Sequence, residues 1–195
     1  MRSLKLISVA LFLVGAVAHA QMSTYQDPKT GVTFQYPAVW VPYDKAPSYM
    51  GPSFASETNQ PRASFTFTSG GNIYKHTLLL SLIFSYFVTP AADSASCLKL
   101  AKDATSSDAK SKTLVIHGVR FHEIDGGDAG MCHEQSNQIA VTYRNNQCFV
   151  FERDFNTECF GADDTKRNLT TAEFKALQRH LDEIMQSVVF APLKP

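Results

Sequence analysis

Local catalytic signatures are missing from this sequence. It has no Cys-x-x-Cys pair, which removes the usual dithiol redox centre. It has no Gly-x-Ser-x-Gly elbow and neither of the glycine spacings that cradle phosphates or dinucleotides. His122-Glu123 and His133-Glu134 each begin a zincin-like motif, but Gly126 and Asn137 stand where the second histidine is needed. The Asp-x-Asp-x-Asp-Gly calcium loop is absent too, leaving Asp125, Asp128, Asp163 and Asp164 as turn-forming acids. Net charge is zero and no basic run occurs, so nothing marks a nucleic-acid partner. Beyond the first 20 residues the longest apolar stretch, Thr77 to Val88, is too short to cross a bilayer and is rich in β-formers. A buried strand is expected there. Internal repeats and low-complexity tracts are absent as well. These absences favour a non-enzymatic protein without a cofactor.

What is present begins with a leader. Arg2 and Lys5 precede an apolar run from Leu6 to Ala18, and small residues flank His19, the pattern of a secretory signal peptide cut after Ala20. No cysteine follows the cut, so a lipid anchor is not indicated, and no stable membrane insertion is expected after cleavage. Residues 21–195 amount to one domain, slightly acidic once Arg2 and Lys5 are gone. A secreted or periplasmic location follows, and in an oxidising compartment four cysteines favour two disulfides over free thiols.

The stretch from Gly118 to Phe160 reads as a three-stranded meander. Ile139 to Tyr143 and Cys148 to Phe155 are β-branched and aromatic, and Asn145-Asn146 between them tolerates positive φ. A hairpin closed there sets Tyr143 opposite Cys148, Val141 opposite Val150 and, further out, Cys132 opposite Cys159. For the preceding hairpin, Gly126-Gly127-Asp128-Ala129 is the expected turn, which sets His122 opposite His133. Both faces are apolar near the Asn145-Asn146 turn, so each needs a covering layer. Helices are expected from Asp93 or Ser94 to about Ser106, and from Thr171 through Ile184 behind a Thr170/Glu173 capping box. Phe174, Leu177, Leu181, Ile184 and Met185 form the second helix's apolar stripe.

The N-terminal segment Thr30-Gly31-Val32-Thr33-Phe34-Gln35-Tyr36-Pro37, followed by Trp40, resembles the opening of PsbP-like domains. The closing helix and its tail Ser187-Val188-Val189-Phe190 are similar to that family's end. The resemblance implies an α+β fold, a three-layer α/β/α sandwich around an antiparallel sheet. It also implies a binding or assembly role with a protein partner, since fold alone carries no chemistry.

Three sets of candidate functional residues emerge. Four cysteines allow three pairings; the meander register favours Cys132 with Cys159, leaving Cys97 on the first helix to reach Cys148 in the sheet, whereas Cys148 with Cys159 would need the chain to turn back. His122, His133 and Glu158 would form one row across three strands, with Met131 on the same face, a donor set suited to a transition metal such as zinc, copper or iron. The Pro-rich crossing from Tyr43 to Arg62 carries Tyr43, Tyr49, Met50 and Phe54, which either pin the loop to the body or form a partner-binding lip. The leading functional expectation is a secreted or periplasmic binding module for an unidentified protein partner. The alternative is a metal-binding protein or metal-dependent enzyme.

Overall fold

A computed structural model describes residues 21–45, 51–68, 74–105, 111–130, 133–158 and 165–191. Strands β4 (Ala63–Thr68), β5 (Leu79–Pro90), β6 (Lys112–Ile116), β7 (Val119–Gly130), β8 (His133–Arg144) and β9 (Gln147–Glu158) join the short β3 (Val41–Pro42) in one sheet. Its order is β3-β4-β5-β9-β8-β7-β6, antiparallel throughout. A smaller sheet pairs β2 (Val32–Pro37) with β1 (Met22–Gln26) and β10 (Val189–Phe190). Helix α1 (Ser94–Thr105) covers one face of the large sheet, while α2 (Thr171–Gln186) and the small sheet cover the other. This is the expected α/β/α layering.

The period of two along β9 explains why both layers are needed. Cys148 and Val150 point to the α1 layer, where they join Phe87, Ala101, Ile124, Ile139 and Val141. Phe149, Phe151 and Phe155 point to the α2 layer, where Val32, Phe34, Phe84, Tyr86, Leu177 and Ile184 complete the larger core. Tyr86 stacks on Phe151 with ring centroids 5.1 Å apart. Trp40, the aromatic just past Tyr36-Pro37, is buried in this core.

Local signals set the ends of elements. Asp93 caps α1, its Oδ1 accepting from Ser96 N at 2.7 Å, and Thr170 with Glu173 closes the capping box of α2. Arg167 and then the Thr170 donors hold the Glu173 carboxyl down to about 2. Asn145 and Asn146 both have positive φ, and the β8–β9 register runs from Arg144 opposite Gln147 to His133 opposite Glu158, as expected.

The β7–β8 register differs from the sequence expectation. Gly126, Gly127, Asp128 and Ala129 lie within β7, Gly130 is opposite His133, and His122 is opposite Val141. Neither Gly126 nor Gly127 has positive φ. Their role is close approach: a Cβ on Gly126 would meet Thr105 Cβ at 2.8 Å, and one on Gly127 would meet Gln135 O at 2.8 Å. Gly126 lets the end of α1 sit down on the sheet, and Gly127 lets β8 approach closely. Strands β1 and β3 lie in segments where no strand is predicted, because a polar, mostly exposed edge leaves little apolar alternation to detect.

Cys97 on α1 is bonded to Cys148 on β9, 51 positions further along the chain, with Cα atoms 5.2 Å apart. Cys132 and Cys159 lie outside the described residues. Removing the Cys97–Cys148 link by a double Cys→Ala substitution is expected to lower unfolding free energy by about 2 to 4 kcal/mol, because the loop it closes is long. Urea titration of the two proteins at equal pH measures this, and an unchanged midpoint would refute it.

Candidate functional site

Three consecutive charged residues, Glu152, Arg153 and Asp154, lie in the middle of β9 and all three are buried. Alternation sends Glu152 and Asp154 into the α1 layer and Arg153 into the α2 layer. Each must therefore find partners inside the protein.

On the α1 side, the segment 51–54 crosses over the two carboxyls as a strap. Ser53 N donates to Glu152 Oε1 at 2.7 Å and Phe54 N donates to Oε2 at 3.2 Å. Gln135 Nε2 donates to Asp154 Oδ1 at 3.0 Å and to Gly51 O at 3.2 Å, while Asn137 Nδ2 donates to Ser53 Oγ at 2.6 Å. Phe54 is buried against Phe87, ring centroids 5.1 Å apart. Of the two readings of the loop, pinning is the one met at Phe54, and a partner-binding role for that side chain is corrected. Tyr43 is half-buried and close to the strap, since a Cβ on Gly51 would meet its Oη at 3.2 Å. Tyr49 and Met50 lie outside the described residues.

Burial is the main influence on both carboxyls. It raises Glu152, against the Phe54 and Ser53 N–H groups that favour the charged form. It raises Asp154 well above the ordinary carboxylate range, and the neighbouring Glu152 charge pushes in the same direction. Burial and the Glu152 charge thus both favour the protonated form of Asp154, while Glu152 accepts from the strap.

On the α2 side, Arg153 pairs with buried Glu123 and with Asp182 of α2, the latter at 2.5 Å. Lys112 of the edge strand β6 reaches the same Glu123 at 2.8 Å. Beyond this network the sheet ends in a cleft of about 870 Å³ at the start of α2. Leu78, Phe155, Leu169 and Phe174 give it an apolar floor and wall, and Glu134 and Glu158 line its polar part. Glu158 is paired with Lys166 at 2.6 Å.

The metal row is not assembled. His122 faces Val141 and His133 faces Glu158, so the two histidines are separated by about eight positions along β8, roughly 26 Å at strand spacing. The misplaced turn at Gly126-Gly127 is the cause. Among the described residues no group of three His, Cys, Asp or Glu side chains is placed to hold a metal. Also among the described residues, no helix is long and apolar enough to cross a membrane.

Several solved structures are similar to the chain. Cyanobacterial PsbP from Synechocystis shares 13% identity, the match covering 92% of this chain and 98% of that one at a TM-score of 0.41. LpqN of Mycobacterium tuberculosis, described as involved in cell envelope biogenesis, shares 12% over 88% and 91% at 0.48. The Ran-binding protein Mog1p of Saccharomyces cerevisiae shares 8% over 88% and 96% at 0.48. These likenesses concern fold alone. The layering implied by the PsbP-like resemblance is present in the chain itself. No family model and no curated protein sequence matches.

Sequence reasoning missed the buried charges and the cleft. The signal for the first was visible: Glu152-Arg153-Asp154 interrupts a run of Phe149, Phe151 and Phe155, so the charges had to be buried with partners. A carboxyl whose folded value is raised stabilises the fold fully below its unfolded value near pH 4, and that contribution is lost as pH rises through the folded value. Asp154→Asn removes the titration while keeping the shape. The expected outcome is a variant with a higher urea midpoint than the parent near pH 8, the gap closing toward about pH 4. A parent stability that rises with pH relative to the variant would contradict the assignment.

Proposed function

We propose that the chain is a non-enzymatic, extracytoplasmic binding or assembly protein whose protein partner docks in the cleft at the start of α2. The observation that carries this reading is the cleft itself. Its roughly 870 Å³ falls within the range of specific ligand sites, and Leu78, Phe155, Leu169 and Phe174 converge there with six polar side chains. The strap is a poorer candidate, because its backbone N–H groups and Phe54 are consumed in covering Glu152. The Cys97–Cys148 bond supports the location, since such bonds persist where the compartment is oxidising. The meander register removes the observation that favoured a metal-dependent alternative.

A photo-reactive residue placed at Ser136, exposed on the cleft lining, tests the site in producing cells. Val115, exposed on the edge strand β6 across the sheet, is the control position. A discrete cross-linked species from Ser136 and none from Val115 is the expected result. Equal labelling from both positions, or none from Ser136, would overturn the proposal.

A further inference from the structure

Phe155 and Ser136 line the cleft and also a much smaller recess of about 20 Å³, whose other lining residues are Gln138, Arg153, Gln178 and Leu181. A space of that size holds a single oxygen atom and its immediate surroundings. Arg153 is 5% exposed and two of its nitrogens are committed, Nη2 to Glu123 and Nη1 to Asp182. Its third, Nε, has no acceptor among the described residues. Because the guanidinium is planar and both ends are held, the direction of the Nε–H bond is fixed.

The geometry points to an acceptor subsite: a polypeptide segment seated in the cleft places one neutral carbonyl oxygen in this recess, where Arg153 Nε–H donates to it. The inference rests on the cleft being the binding site. A carboxylate or phosphate is the wrong occupant, because the single positive charge of Arg153 already faces Glu123 and Asp182, and Glu134 and Glu158 line the adjoining cleft. An extended peptide fits all three features of the lining. It carries neutral carbonyl oxygens at every residue, apolar side chains to cover Phe155, Leu169 and Phe174, and a basic side chain to meet exposed Glu134.

The probe is a capped peptide pool, Ac-X-Arg-Leu-X-NH2 with X varied, titrated into the isotopically labelled, disulfide-bonded protein, with a matched Ac-X-Glu-Leu-X-NH2 pool as comparison. The readout is the Arg153 Nε–H resonance together with the Leu169 and Phe174 amides. Expected is a shift of all three at the same peptide concentration, slowed exchange of Nε–H with water, and at least about tenfold weaker binding of the acidic pool. Gln178→Phe, whose larger ring narrows the recess without changing a cleft-lining residue, is expected to weaken binding about tenfold, the scale of one hydrogen bond to a charged group. If Leu169 and Phe174 shift while Nε–H does not, the recess holds only water; the acceptor subsite is then overturned and the cleft reading survives. If none of the three moves with either pool, peptide docking in the cleft fails and the subsite fails with it.

Discussion

Burying Glu152, Arg153 and Asp154 side by side in the central strand is the constraint on which the layers depend. Alternation forces the two acids to one face and the base to the other, so the three cannot neutralise each other across the strand. The two acids instead recruit the strap on one face, and the base recruits helix α2 on the other. Glu152 holds the strap through Ser53 and Phe54, Asp154 reaches Gly51 through Gln135, and Arg153 ties α2 to the sheet through Asp182. Removing any one partner would leave a buried polar or charged group unmatched, which is far more disruptive than losing a surface pair.

The two faces solve the same problem differently. Toward α2 the charge is compensated by charge, and the network extends through Glu123 to Lys112, fastening the edge strand as well. Toward α1 the acids are met by dipoles: the Ser53 and Phe54 N–H groups donate to Glu152, and the Gln135 amide donates to Asp154. Hydrogen bonds of this kind are directional, so they fix where the strap crosses even though the strap itself has little regular structure. A hydrophobic patch in the same place would hold the strap with less definition of position.

The sequence was legible where backbone conformation and side-chain pattern agreed. Asn145-Asn146 closes a tight turn, and with it the register of the central hairpin follows down to His133 and Glu158. It was misleading at Gly126-Gly127, where a glycine pair looks the same whether it turns the chain or clears space for Thr105. That difference depends on α1, which is remote in sequence, and it carried the proposed metal row with it. The Cys97–Cys148 pairing survived because it was inferred from the β8–β9 register, which the Asn145-Asn146 turn sets and the Gly126-Gly127 pair does not touch.

Why the cleft lies at one end of the sheet follows from the same alternation. Near the Asn145-Asn146 turn both faces of β9 are apolar and both are covered, with the disulfide closing the α1 side and Phe190 packing on Phe149 on the other. At the opposite end the aromatic run on the α2 face stops at Phe155, and the strand pairs beyond it, Glu134 with Thr157 and His133 with Glu158, are polar. Helix α2 begins there, and its first aromatic residue, Phe174, packs on Phe155 with ring centroids 4.7 Å apart. One more apolar turn of helix would have capped this end. Instead, Phe155 and Phe174 line a cleft whose rim carries Glu134 and Glu158, so the apolar layer gives way to charge within one turn of helix.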